Sequence, residues 1–268
     1  MSRAGSSLKV GMFTLAAAAL LTALAARGEE LAAMAAEEAV SWRPTVTYSQ
    51  TWSSRNMGEG VVTNPRSITE SALALEWQGF SVGVTGIYDF TDDAGYDNDF
   101  EEWDYILGYS RTFEDLGPLG SVTAGLVWTY YDIPHASQDD YQELTLALSL
   151  DDIPLTPSLE INWDYENGTW WFKGAIAHSL ELIPERLSWE STLELHYGNS
   201  RWTGIDKAAF TTAVLTTGPS LTLTDNISLD ANVALAHGID SAMRQALRDD
   251  EANNATNVVF SVALNLEF

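Results

Sequence analysis

Carboxylates recur on one side of short segments in which polar and apolar residues alternate. Few bases share that side: Lys173 is the clearest, and His196 is a candidate neutral partner. Rings of carboxylates along a water-filled passage favour cations and repel anions. The alternative is that these acids only fill and hydrate a narrow interior. The candidate lining residues are Glu70, Glu76, Asp89, Asp104, Glu143, Glu160, Asp164, Lys173, Glu181, Glu190, Glu194, His196 and Asp230.

A second group of acids lies in one loop, at Asp92, Asp93, Asp97 and Asp99. Oxygen ligands in a flexible loop suit Ca²⁺ or Mg²⁺, but the spacing does not match the EF-hand loop. A solvated loop is the favoured interpretation, with these four residues kept as candidate metal ligands. No cofactor is expected.

Catalytic patterns are incomplete. A lipid-facing hydrolase site needs Ser, His and Asn or Asp together; His178 shares the side of Ile176 and Leu180 but has no evident Ser and Asn beside it. His237 and Asp240 form an isolated Asp-His pair. The sequence has no Gly-rich phosphate loop, Cys/His metal spacing or nucleophile elbow, so the chain is predicted not to be an enzyme.

The elements that carry these residues are predicted strands, because alternation with a period of two recurs along the chain after residue 40. In the tenth strand Gly218-Pro219 predicts a bend or bulge. Twelve strands are expected, at 43–54, 67–77, 80–90, 102–112, 121–133, 141–150, 155–165, 170–182, 187–197, 208–223, 228–237 and 257–268.

The final strand has one continuous apolar face and ends on an aromatic residue. This ending resembles the assembly signal of bacterial outer-membrane barrels, and we expect it to close the cylinder against Val46 and Tyr48. The residues of this signal are Phe260, Val262, Leu264, Leu266 and Phe268.

Short and long connections alternate along the chain, with Gln78-Gly79 among the short ones and 238–256 the longest. Tight turns on one rim and long loops on the other are typical of a bacterial barrel with both termini in the periplasm. A soluble sandwich or lipocalin-type barrel would hide the apolar face inside. Aromatic residues near strand ends and the even, high strand number favour the membrane. The predicted fold is an all-β, membrane-spanning, up-and-down antiparallel β-barrel of about twelve strands.

The amino-terminal region has the pattern of a signal peptide, with a basic start and an apolar run at 12–24. Cleavage is expected near Ala25, with Ala35 as the alternative, so the domains are a signal peptide at 1–25, an Ala/Glu-rich lead-in at 26–41 and a barrel at 42–268. The chain has no cysteine, so packing and strand pairing alone must hold the fold.

The formal net charge is −25. Such a chain is a poor partner for nucleic acid and anionic surfaces and a good one for cations.

Two aromatic motifs carry a family resemblance. The segment 128–134 has the sequence WTYYDIP, and 139–143 has the sequence DDYQE. They resemble the YY-x-x-P and D-x-Y-x-E motifs of the TorF-type porin family, and the strands at 158–165 and 170–182 continue the likeness. The resemblance implies a small outer-membrane pore and offers no catalytic residue.

The expected function is passive diffusion of small hydrophilic solutes or ions, with a preference for cations, through the bacterial outer membrane. The expected partners are outer-membrane lipid, the barrel-assembly machinery and small cations or polar solutes, with oligomeric state left open. The alternative is a closed structural or adhesive barrel with acidic surface loops.

Overall fold

The computed structural model describes residues 43–90, 99–134 and 140–268. The predicted signal peptide, its cleavage sites and the lead-in lie outside these residues, as do Asp92, Asp93 and Asp97. All statements on structure below concern the described part of the chain.

Fourteen strands are present, and twelve of them form one closed antiparallel barrel. Each barrel strand pairs with its neighbours in chain order, so the predicted up-and-down topology is confirmed. Strands β2 and β3 form a separate two-stranded hairpin between β1 and β4. The strands are β1 (Thr45–Ser53), β2 (Asn56–Gly58), β3 (Val61–Asn64), β4 (Ile68–Trp77), β5 (Phe80–Asp89), β6 (Phe100–Phe113), β7 (Val122–Asp132), β8 (Tyr141–Leu150), β9 (Ser158–Asp164), β10 (Thr169–Ile183), β11 (Leu187–Gly198), β12 (Ala209–Thr224), β13 (Ile227–Gly238) and β14 (Thr256–Glu267).

The seam between β1 and β14 closes the barrel. Val46 N–H donates to the Phe268 carbonyl and Phe268 N–H donates to the Val46 carbonyl, both at 2.9 Å, and Tyr48 pairs with Leu266. The closure predicted for the last strand is confirmed, and it leaves no free sheet edge in the barrel.

Large apolar side chains lie on the outside. Phe80, Leu107 and Phe260 are each more than half exposed, and cross-strand pairing continues this face around the wall. Side chains of the opposite alternation point inward and are mostly polar. Soluble proteins do not expose such a continuous apolar surface, whereas a barrel wall in contact with lipid does.

Strand β12 continues through Gly218 and Pro219, so the predicted bulge at this site is wrong, although neither residue pairs with β13. Pairing with β13 keeps one register from Thr217 to Ser220, and the irregularities lie elsewhere on the strand. Glycine is needed here for a different reason: a Cβ at Gly218 would lie 1.9 Å from the Ala231 carbonyl oxygen.

The two rims differ as predicted. One rim has tight turns and a single 3-10 turn at Gly117–Leu119, while the long loops of the other rim carry α1 (Ser200–Thr203) and α2 (Ser241–Asp249). At the first rim, the Ser121 hydroxyl and backbone N–H both donate to Asp152 and hold the pKa of its carboxyl below the ordinary value. At the other, the Lys207 ammonium lowers the pKa of Asp240, which also caps α2.

Within the described ranges, no helix is both long and apolar enough to cross a membrane.

Candidate functional site: the lumen and its mouth

The inward face of the barrel contains all of the candidate lining residues named from the sequence. Each lies on a barrel strand at a position that alternates with the exposed apolar residues. They do not form one ring of equivalent charges, because their partners differ around the wall.

Four carboxylates form what we call the acidic wall: Glu70, Glu102, Asp104 and Glu143. Ile87 pairs with both Glu70 and Glu102 across adjacent strands, so these two acids flank one side chain. Among the described residues, none of the four has a basic side chain within ion-pair distance. Asp104 Oδ1 is buried without a hydrogen-bond partner.

Glu102 was not among the residues selected from the sequence. It is the first residue of the fourth predicted strand, 102–112, whereas the structure begins β6 at Phe100, so Glu102 lies inside the strand and on the inward face. The separation of two residues between Glu102 and Asp104 was the signal that could have identified it.

Aromatic rings also point inward beside the acidic wall. Tyr131 and Tyr141 stack with ring centroids 4.4 Å apart, and Trp171 stacks on His196 and Trp202. Glu143 accepts a hydrogen bond from Trp171 Nε1 at 3.0 Å. Aromatic residues were expected on the outer wall, and these inward rings depart from that expectation.

The bases of the lumen are paired with acids. Lys173 Nζ lies 2.8 Å from Glu160. The His196 side chain is almost fully buried between two carboxylates, with Nε2 3.2 Å from Glu194 and Nδ1 2.6 Å from Glu59. The contact of Nδ1 with Glu59 lies within ion-pair distance, but its geometry is not that of a hydrogen bond. The predicted role of His196 as a partner of acids thus has a geometric basis, and the lumen keeps an excess of acids.

Other candidate acids have neutral partners. Asp164 accepts hydrogen bonds from the backbone of Glu166 and Asn167 and so shapes the short link between β9 and β10. Asp230 accepts from Asn265 at 2.7 Å. Glu181 accepts from a turn N–H, Glu190 from a serine hydroxyl and Asp89 from an asparagine amide.

The hairpin of β2 and β3, here called the mouth hairpin, folds into the loop end of the lumen. Its turn residues Glu59 and Gly60 have φ of 53° and 81°, as a two-residue type I′ turn requires. Thr212 donates its hydroxyl hydrogen bond to the Glu59 carbonyl at 2.7 Å, and a Cβ at Gly60 would lie 2.9 Å from Thr212. Thr212 and Val62 are buried by this contact region.

The base of the mouth hairpin is bound on another part of the wall. Asn64 Nδ2 donates to Asp89 on β5 at 2.7 Å and to Glu101 at the start of β6. Val62 N–H donates to Asn253 Oδ1 at 2.8 Å, and Asn253 Nδ2 donates back to the Val62 carbonyl. Because β5 and β11 lie opposite each other in the ring of twelve strands, contacts at Asp89 and His196 anchor the hairpin on facing sides.

Polar groups on the outer wall do not complete a catalytic site. Ser191 lies directly across from His178, a neighbour that was not singled out from the sequence. The Ser191 hydroxyl is 2.8 Å from Thr217 Oγ1, and no carboxylate or amide joins the group in the described residues. Asp240 binds Lys207, and His237 Nδ1 contacts Thr256. The absence of an enzymatic activity stays a prediction.

The candidate metal loop is only partly described, with Asp99 as its one visible member. Its carboxylate accepts the backbone N–H of Phe100. Across the described ranges no group of three or more His, Cys, Asp or Glu side chains is arranged to hold a metal ion.

No protein-family model matches the chain, and no curated protein matches it either. The resemblance to the TorF-type family therefore stays a prediction.

Solved structures with similar architecture are outer-membrane porins and channels. The NanC porin has 11% identity and a TM-score of 0.49, with 82% of this chain and 98% of that chain covered. The KdgM porin has 9% identity and a TM-score of 0.48, covering 84% and 99%. The COG4313 outer membrane channel from Pseudomonas putida F1 has 10% identity and a TM-score of 0.45, covering 84% and 94%. At identities this low, the likeness concerns the fold alone.

Proposed function

We propose that this chain is an outer-membrane channel for passive diffusion of small hydrophilic solutes or ions, with a preference for cations. The observation that carries the proposal is a closed twelve-stranded wall with exposed apolar residues outside and an acidic wall inside that has no basic partner in the described residues. Such a wall suits lipid on one face and water on the other. Carboxylates along the water-filled face attract cations and repel anions.

Export and assembly follow from the same proposal. The signal-peptide pattern directs the chain to the periplasm, and the apolar face that ends at Phe268 is offered to the barrel-assembly machinery. Both termini then lie on the periplasmic side with the tight turns, and the long acidic loops face the exterior. Membership of the TorF-type porin family belongs to this proposal as well.

Planar-bilayer recording tests the channel. The purified full chain is expected to give discrete conductance steps, and a KCl gradient is expected to give a zero-current potential of the sign set by K⁺. Protein-free detergent added to the same bilayer is the control. A potential of the sign set by Cl⁻ contradicts the cation preference, even if the chain conducts.

A closed structural or adhesive barrel is the second candidate, and the mouth hairpin is the observation that favours it. A segment anchored on facing sides of the lumen obstructs passage. The complete absence of conductance steps from correctly folded protein supports this second candidate and contradicts the channel.

A further inference from the structure

We propose that the mouth hairpin is the constriction of the channel and that Glu59, at its tip, is the residue that selects charge there. This inference rests on the proposed channel function and names the element that limits it. The hairpin comes from the first long loop, so the narrowest part of the passage is formed by a segment that is not part of the barrel wall.

The reach of the hairpin supports a constriction across the lumen. A strand advances about 3.3 Å per residue, so the five steps from Asn64 to Glu59 cover roughly 17 Å. Asn64 begins this path on the β5 side, and Glu59 ends it on the β11 side. Between these ends, Asn257 on β14 donates to the Gly60 carbonyl at 3.4 Å. The segment is therefore held at both ends and along its length.

The docking surface is specific rather than a loose contact. It consists of the inward face of β11, β12 and β14, here called the docking wall. Thr212 and Asn257 on this wall are almost fully buried and direct their polar groups to the hairpin backbone. Buried polar groups need such partners because an unsatisfied one is costly. The backbone carbonyls of the hairpin therefore supply the hydrogen-bond acceptors for these buried groups of the docking wall.

The Glu59 side chain is partly exposed to water although the residue is bound to the docking wall. Its side chain is about one-third exposed, although its carboxylate lies 2.6 Å from His196 Nδ1 and its backbone accepts from Thr212. A carboxylate fixed in the narrow part of a pore acts on every ion that passes. Glu59 thus differs from the acids of the barrel wall, since its position depends on a loop.

Four variants of the full chain test the constriction in planar bilayers, with conductance and exclusion of neutral polymers as readouts. The first replaces 56–64 by a Gly-Ser linker of equal length. The second, Gly60→Val, forces a side chain against Thr212 at a positive φ and displaces the hairpin by a single change. The third, Glu59→Gln, removes the charge and leaves the contacts of the hairpin backbone with Thr212 and Asn257 in place. Gly58→Ala is the matched control, because a Cβ at Gly58 meets nothing within 4 Å.

The linker and Gly60→Val variants are expected to raise conductance about twofold or more and to admit larger polymers, because passage grows with open cross-section. Glu59→Gln is expected to exclude neutral polymers of the same size as wild type does. It is also expected to lower the K⁺ to Cl⁻ permeability ratio. Gly58→Ala should match wild type. The inference is overturned if the linker and Gly60→Val variants fold as barrels and conduct as wild type does.

Failure of the channel function gives a different result. A silent wild type with a conducting linker variant contradicts an open resting channel and supports the hairpin as the obstruction. Silence of wild type and all variants, with the barrel folded, overturns the channel function and the inference together. Conduction by wild type that is indifferent to the hairpin overturns the inference alone.

The contact between Glu59 and His196 has its own test. If it holds the hairpin, Glu59→Gln and His196→Gln should change the frequency of closing events to the same degree, and the double variant should add nothing. Glu194→Gln is the matched control, since Glu194 contacts the other ring nitrogen from the barrel wall. Additive effects, or an equal effect of Glu194→Gln, contradict the hairpin contact as the cause.

Discussion

On the acidic wall, Glu70, Glu102 and Asp104 have no basic partner in the described residues, whereas on the docking wall His196 contacts two carboxylates. The carboxylates of the first wall point inward with no base beside them in the described part of the chain. The second uses buried polar groups to hold a loop segment in place. The described barrel therefore has acids without a basic partner on one wall and the contacts that hold the mouth hairpin on the other, although both walls have the same alternation in sequence.

An inward position on the wall therefore does not by itself show whether a carboxylate acts on ions or holds the structure. Asp164 and Glu160 lie four residues apart on the same face of β9, yet Asp164 shapes a link and Glu160 binds Lys173. The partner of each carboxylate determines whether its charge acts on the lumen. Four changes test this difference between the two walls.

Gly218→Ala should disrupt the half of the barrel that includes the docking wall. The new Cβ would meet the Ala231 carbonyl oxygen, which is backbone and cannot rotate away. We expect a loss of about 3 kcal/mol in the free energy of unfolding, since overpacking of this kind forces the backbone to shift. Urea unfolding in detergent micelles measures it.

Gly174→Ala is the control for that change, because a Cβ at Gly174 on β10 meets nothing within 4 Å. Equal unfolding midpoints for the two variants would show that the close approach of β12 to β13 is not a constraint.

Neutralising the acidic wall should weaken the cation preference. The triple variant Glu70→Gln, Glu102→Gln, Asp104→Asn is expected to lower the K⁺ to Cl⁻ permeability ratio about fivefold, because unpaired carboxylates set the field in the lumen. Zero-current potentials in a KCl gradient measure the ratio.

Glu114→Gln is the matched control for the triple variant, as Glu114 is an exposed carboxylate in a turn outside the strands. A triple variant with the selectivity of wild type would remove the distinction between the two walls.

Lys173→Gln should have the opposite and smaller effect. It leaves Glu160 without its partner at 2.8 Å and adds one unpaired negative charge to the lumen. We expect the K⁺ to Cl⁻ permeability ratio to rise by about 1.5-fold. The double variant Lys173→Gln, Glu160→Gln changes no net charge and should return to wild type; a double variant that stays raised would mean that the effect is structural.

Asp152→Asn should have the smallest effect, on stability at the turn rim. The pKa of Asp152 lies below its ordinary value because Ser121 donates two hydrogen bonds to the ionised form. Its stabilisation is present above the unfolded pKa of about 3.9 and is lost as pH falls through the folded pKa. Thermal melts should show a slightly lower midpoint for the variant at neutral pH and no difference at strongly acid pH. A constant difference at all pH values would exclude the carboxylate as the cause.

Sequence alone determined the wall of this protein. Alternation predicted the strands and their two faces. Aromatic residues near strand ends and the even strand number predicted which face is outside, and the last strand predicted the closure of Phe268 against Val46; each was confirmed. A period of two is a local property, and cross-strand pairing repeats it around the barrel without further information.

Only the tertiary structure determined the mouth. The segment 55–66 carries no signal that it folds inward, because its contacts join Glu59 to His196 and Val62 to Asn253, far apart in the chain. The same holds for Glu102 on the lumen face and Ser191 beside His178, which depend on strand boundaries and register. Alternation determines which face of the wall a residue lies on. The partner of an inward residue is determined by the closed barrel, because the barrel brings segments that are distant in sequence into contact.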